Sequence, residues 1–376
     1  MARRRKPQLL AGSFLLLGFY MYSGEASTAQ TAAGDDDELT LSLPSVDLSR
    51  ADASDQVVEA CSGVGMFSVA GLRESAAIVR EAFDASELVF KVPASEKQRH
   101  TAKPGGFTRG YIPLGGESGN PALLECKEAF SYGYGGSLPV ANINRLQGPN
   151  VWPRSLNPAA KLALDAFFNF SVSISEQVAR GLAPALNLTS DIAELIDGGE
   201  TISLMRLFRY LTVEDPSCVA GGPASGERTG SSPHSDWGFL TLVLSDGPGL
   251  QLKSPVSEGW LEVERSARLE PWIICGDYIE ILTKGRFQSP LHRVVLPQLR
   301  VRSSFVFFYY PSYHANFASA ARHRLATVTG ENAEKTSHNT MLDLAIKNPG
   351  TLDLPFGEYI LNKWAGVQTP SPKSEL

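Results

Sequence analysis

Residues 233–244 read PHSDWGFLTLVL, and the fold and the chemistry both turn on that stretch. His234 and Asp236 stand two apart at the head of a run in which Leu240, Leu242, Val243 and Leu244 are apolar and suited to a strand. Side chains at i and i+2 of a strand leave the same face. An imidazole and a carboxylate so placed can grip one divalent metal from one side. His292, in SPLHRVVLP, offers a third ligand from a second strand-like run. Two histidines and a carboxylate on one face of a metal leave its other positions open, as non-haem Fe(II) oxygenases require. A His-x-Asp pair alone is weak evidence, because six histidines and many aspartates can produce one by accident.

The next strand-like run strengthens the reading. Arg302 and Ser304 are again i and i+2, so they share a face. A guanidinium fork with a hydroxyl beside it suits a carboxylate. If this strand is interior, a carboxylate-bearing ligand is implied, since an arginine buried without an anion is costly. The alternative is an exposed arginine in a basic turn with Arg300.

Around these motifs the chain from Ile202 onward breaks into short β-rich runs separated by turn residues. They are Leu204–Leu211, Gly238–Leu244, Leu250–Lys253, Trp260–Val263, Trp272–Cys275, His292–Leu296 and Ser304–Tyr310. Such spacing predicts a sandwich or jelly roll. Gly221 to Pro233, rich in Gly, Ser and Pro, precedes the candidate ligands as a loop of the kind that gates a site. Upstream, LTLSLPSVDLS predicts a short strand, and helical patterns cover Ala51–Ser62 and Leu72–Phe90. Pro158 with Asn157 before it marks the start of a long helix. Its apolar face carries Leu162, Leu164, Phe167, Phe168, Val172, Val178 and Leu182. A last helix near Asn339–Lys347 and the segment Phe356–Trp364 close the fold.

Composition excludes several classes. The 43% apolar and 20% charged residues are those of an ordinary globular protein. A net charge of -6 with no basic stripe beyond the first residues argues against nucleic-acid binding. Cys61, Cys126, Cys218 and Cys275 lack zinc-knuckle spacing and are expected to be buried or incidental thiols.

Arg3, Arg4 and Arg5 followed by the uncharged segment Pro7–Gly24 have the layout of a secretory signal, either cleaved or kept as a short anchor. The tail Lys373-Ser374-Glu375-Leu376 is close to an ER-retention signal, and sequons at Asn169 and Asn187 fit that compartment. The expected location is therefore the secretory pathway, in the ER lumen or anchored to its membrane.

HSDWGFLTLVLSDGPGLQ, GDYIEILTKGRFQSPLHRVV and RVRSSFVFFYYP resemble, in order and separation, the central blocks of the isopenicillin N synthase-like Fe(II)/2-oxoglutarate-dependent dioxygenases. LPSVDLS, CSGVGMFSVAGL and LECKEAFSYGY are similar to the N-terminal blocks of that family, so the resemblance runs from Leu39 to Trp364. It implies a mainly β fold with flanking helices around a double-stranded β-helix, or jelly-roll, core. It also implies that His234, Asp236 and His292 ligate Fe(II), that Arg302 and Ser304 hold the distal carboxylate of 2-oxoglutarate, and that Tyr210 assists. The implied reaction consumes O2, releases succinate and CO2, and hydroxylates or desaturates a small organic molecule, with ascorbate as a further candidate cofactor. Departures fall at Phe208, where many members carry asparagine, at Leu211, where many carry proline, and at Ile274-Cys275. The segment from Tyr210 to His234 is also longer than usual.

The expected organisation is a signal or anchor with an acidic linker over 1–38 and an N-terminal α/β region over 39–200. The catalytic core follows over 201–320, then a C-terminal helical region and tail over 321–376. A monomer is expected, touching membrane only through its N-terminus. Other readings are a 2-oxoglutarate-independent Fe(II) oxidase of the same fold, a zinc protein, and a non-catalytic binding module on that scaffold. The substrate pocket is expected to be lined by Gly105–Glu117, the Gly221–Pro233 loop and the strand around Phe307.

Overall fold

The computed structural model describes residues 40–72, 75–102, 109–117, 123–136, 144–186, 192–221, 228–254, 257, 259–265, 269–316 and 354–368. The N-terminal segment and linker, the Asn187 sequon, the helix expected near Asn339–Lys347 and the KSEL tail lie outside these residues. Among the described residues no helix is long and apolar enough to cross a membrane.

The described residues open with β1 (Thr40–Leu41) and β2 (Ser45–Asp47), then α1 (Ala53–Ser62), β3 (Met66–Ala70), α2 (Ser75–Lys91) and α3 (Ala94–Arg99). Next come β4 (Gly110–Ile112), β5 (Leu124–Glu125), β6 (Lys127–Gly133), α4 (Pro158–Leu186) and α5 (Ile192–Ile196). The second half holds β7 (Leu204–Tyr210), α6 (Pro216–Gly221), β8 (Arg228–Thr229), β9 (Ser231–His234), β10 (Leu240–Ser245), β11 (Leu250–Lys253) and β12 (Trp260–Val263). It finishes with β13 (Trp272–Cys275), α7 (Asp277–Thr283), β14 (His292–Val294), β15 (Arg302–Tyr309) and α8 (Phe356–Gln368).

Two sheets face each other. The larger runs β2-β3-β13-β10-β15-β7-β6-β4 and the smaller β1-β12-β11-β14-β9. Alternation along the strands sorts the side chains. In β15, Phe305, Phe307 and Tyr309 face the helices, whereas Arg302, Ser304 and Val306 face the opposite sheet. The inter-sheet core is apolar around Val243, Trp272, Ile274, Leu252 and Leu261. Two facing sheets with flanking helices agree with the jelly-roll core that the family resemblance implies, one of the two forms the strand spacing predicts.

α4 braces the outer face of the large sheet. The Asn157 Oδ1 accepts the Ala159 N–H at 2.8 Å, satisfying an orphan donor of the first turn. Phe167 then meets Phe305 at 4.6 Å between ring centroids and Phe168 meets Phe307 at 5.0 Å. Leu162 does not join this face; it is 70% exposed. Two other expectations also change: Phe307 belongs to this helix-facing core rather than to a pocket lining, and the cysteines are not all thiols, because Cys126 and Cys218 form a disulfide. That bridge pins α6, inside the long segment after Tyr210, to the start of β6. Cys61 and Cys275 stay free and buried.

Candidate functional site

His234 ends β9 and is the direct cross-strand partner of His292 in β14. The ladder thus brings together two residues 58 positions apart in sequence, as counted from their numbers. Asp236 corrects the strand reading. The chain leaves the small sheet at His234 and enters the large one at Leu240, so Asp236 lies in the turn between sheets and not at the head of β10. It is 4% exposed.

That turn is held from below by the start of α7. The Asp277 N–H donates to the Asp236 carbonyl at 2.7 Å, the Tyr278 N–H to Gly238 at 3.1 Å, and the Gly276 N–H to Phe239 at 3.0 Å. The approach is so close that a Cβ on Gly276 would stand 2.1 Å from the Gly238 carbonyl oxygen. Gly276 is therefore a positioning residue that the motif reading missed. Its sequence signal is the Gly-Asp pair directly after a buried strand.

The donor atoms of His234, Asp236 and His292 all lie within 4.8 Å of one another. The Asp236 Oδ1 is 3.8 Å from the His234 Nε2 and 3.9 Å from the His292 Nε2. Bonds of about 2.1 Å to a first-row metal let two ligand atoms stand up to about 4.2 Å apart, so the Asp236 Oδ1 can share one ion with either imidazole. The ring tautomers agree. The Nδ1 of His234 lies 2.7 Å from the Ser232 carbonyl and the Nδ1 of His292 lies 3.1 Å from the Pro290 carbonyl. Carbonyls only accept, so each Nδ1 carries the proton and each Nε2 presents its lone pair to the cluster. The Asp236 Oδ2 is buried with no hydrogen-bond partner. These residues fit a divalent metal.

Arg302 is 2% exposed, which disposes of the exposed-turn alternative, whereas Arg300 has 64% of its side chain exposed. The Arg302 Nε donates to the Gly247 carbonyl at 3.2 Å, and its Nη1 has no partner. The Ser304 Oγ, on the same face, has none either. Tyr210 is the cross-strand neighbour of Arg302, with its ring centroid 4.8 Å from the guanidinium carbon. Burial lowers the Arg302 pKa from its usual value. A buried cation with an unmet N–H, beside an unmet hydroxyl, fits a carboxylate. Phe208, one of the departures, faces Ser304 across the ladder and packs under the Lys127 ammonium at 5.0 Å.

Of the expected pocket lining, Glu117 is described, while 105–108 and 222–227 lie outside the described residues. A separate cleft of about 1140 Å³ opens between α2 and the outer side of the large sheet, near Phe83, Glu128 and Ser303. It shares no residue with the cluster.

Sequence and structure comparisons agree with this geometry. Residues 41–155 match the N-terminal domain described as that of the non-haem dioxygenase in morphine synthesis, and residues 201–311 match the 2OG-Fe(II) oxygenase superfamily. The 2-oxoglutarate-dependent dioxygenase citB of Monascus ruber is 29% identical over 71% of this chain and 84% of its own length. The clavatol oxidase claD of Penicillium crustosum is 28% identical over 69% of this chain and 79% of its own. In fold, a full-length Neurospora crassa protein solved in complex with alpha-KG and thymine is similar, with a TM-score of 0.66 at 19% identity. That match covers 90% of this chain and 99% of the Neurospora chain.

Proposed function

The chain belongs to the 2OG-Fe(II) oxygenase superfamily, and from that premise we propose how its own side chains divide the work. It is an Fe(II)- and 2-oxoglutarate-dependent dioxygenase, an oxidoreductase that oxidises a small molecule. His234, Asp236 and His292 would hold the iron. The Arg302 fork and the Ser304 hydroxyl take the distal carboxylate of 2-oxoglutarate, and Tyr210 walls the guanidinium on its β7 side. Bound Fe(II) with 2-oxoglutarate would supply oxidative decarboxylation by O2, one oxygen atom ending in succinate alongside released CO2 and the other oxidising a substrate C–H bond.

The chain's own contribution is positional. The carbonyls of Ser232 and Pro290 fix which imidazole nitrogen faces the ion. The α7 amides fix the Asp236 turn. The apolar inter-sheet wall keeps water away from the carboxylate clamp, so its hydrogen bonds act at low dielectric. The observation that carries the reading is the pairing of a three-donor cluster with the unmet donors of Arg302 and Ser304 on the facing sheet. The test is Fe(II)-dependent succinate formation from 2-oxoglutarate by the purified protein; its absence would sink the assignment.

We further propose that the enzyme works as a monomer in the secretory pathway, with residues 1–38 as signal or anchor and residues 201–320 as the catalytic core. The Cys126–Cys218 bridge supports an oxidising compartment. Asn169, exposed on α4, can accept a glycan. A shift in electrophoretic mobility on glycosidase treatment of the expressed full chain checks the compartment.

A further inference from the structure

Two buried arginines face the space between the sheets, and the reading above employs one. The other is Arg206 of β7, 8% exposed. Along the β15–β7 ladder Arg302 pairs with Tyr210, Ser304 with Phe208 and Val306 with Arg206. Arg206 therefore shares the face of the carboxylate clamp but sits four residues farther along, roughly 13 Å at strand rise. Its guanidinium carbon is 4.6 Å from the Trp364 ring; Trp364 meets Trp237 at 5.3 Å, and Trp237 directly follows Asp236. Contacts thus run unbroken from the metal cluster to Arg206.

The hydrogen bonding of Arg206 is incomplete. Its Nη1 pairs with Glu117, but its Nε is buried with no partner. Ser131, directly opposite on β6 and 0% exposed, has an equally unpartnered Oγ. Native interiors rarely leave adjacent donors unmet without a ligand or water to meet them. The charge of Arg206, by contrast, is already met by Glu117. A ligand carboxylate here would add a second negative charge to a desolvated pair, which is strongly disfavoured. The missing acceptor is therefore neutral, and the Trp364 indole beside Arg206 favours a flat group.

We propose that Arg206 and Ser131 read the substrate: they donate to the oxygen of a neutral, planar carbonyl compound such as an amide, lactam or aryl ketone, and Glu117 excludes carboxylic acids. The inference rests on the dioxygenase reading, which calls for a substrate near the metal cluster.

The test uses two probes of one shape, benzamide and benzoate, titrated calorimetrically into the full chain with Fe(II) and 2-oxoglutarate under nitrogen. The wild type should bind benzamide at least tenfold more tightly than benzoate. Glu117→Gln, a near-isosteric change at a partly exposed turn, should narrow or invert that ratio, and Ser131→Ala should weaken benzamide severalfold. A wild type that binds benzoate as well as benzamide, or fails to bind benzamide, overturns the proposal, as does a ratio unmoved by Glu117→Gln. Titration of the wild type with 2-oxoglutarate alone separates the two readings. Binding of the keto acid without the probe preference overturns this inference only, whereas failure to bind the keto acid removes the dioxygenase assignment itself.

Discussion

His234 and His292 face each other across the β9–β14 ladder with ring centroids 4.3 Å apart, each with its Nδ1–H directed at the carbonyl two residues upstream. Both rings are thus oriented by their own strands before any ion arrives. Substituting either by alanine should lower iron content and succinate formation by more than about 100-fold, since even outer partners of metal ligands are worth 10–100-fold. The circular dichroism spectrum should stay that of the wild type. Metal analysis of the purified variants is the check, and iron at wild-type occupancy would disqualify the residue as a ligand.

Arg302 and Ser304 should separate by magnitude. Arg302→Lys keeps the charge and loses the fork, so 2-oxoglutarate affinity should fall about 10- to 100-fold, the scale of one or two charge-assisted hydrogen bonds. Ser304→Ala removes one donor and should cost roughly fivefold. Titration of the keto acid against each variant measures both, and equal losses would contradict the division of roles.

Gly276→Ala is a test of positioning. The added methyl must push against the Gly238 carbonyl, 2.1 Å away. The loss of stability should be about 1–3 kcal/mol, the usual cost of overpacking. Iron affinity should fall further than that of a surface variant of equal stability, because the displaced turn carries Asp236. Denaturant melts read beside metal titrations would show whether the two effects go together.

The bridge between Cys126 and Cys218 closes a loop at a sequence separation of 92. In the chain-entropy account such a closure is worth about 4.6 kcal/mol, so Cys218→Ser should lower the unfolding free energy by up to that amount. Thiol titration of the denatured protein should find Cys61 and Cys275 before reduction and all four cysteines after it. In the native protein, Cys61 and Cys275 should not react: both are buried, their sulfurs are 2.8 Å apart, and burial pushes the Cys61 thiol up.

The candidate site was legible because its parts are short-range. His-x-Asp and Arg-x-Ser each announce themselves within three residues, and the β-rich runs after Ile202 carry their own periodicity. What stayed hidden depends on distant partners. β6, Lys127–Gly133, opens with two charges, yet every residue in it is buried. Lys127 is met by Glu125 and Ser231, and Glu128 by Lys97, Arg209 and Tyr111. No local pattern announces a charged strand that becomes interior through ion pairs from three other elements. The same holds for Cys126 and Cys218, and for Gly276, whose constraint is a carbonyl 38 positions upstream by residue number. The strand reading of Asp236 failed for a related reason: period-two alternation cannot show where a chain changes sheets.

The disulfide has a consequence for how this oxygenase is kept in working order. Ferrous iron survives only while electron donors can reach it, and a cystine survives only while they cannot. Here the two demands fall on different parts of the molecule. The His234 side chain is 46% open to solvent, whereas Cys126 and Cys218 are each 0% exposed. A small reductant can therefore approach the site from the His234 side while the bridge stays out of its reach, and a single fold tolerates surroundings that would otherwise force a choice between them.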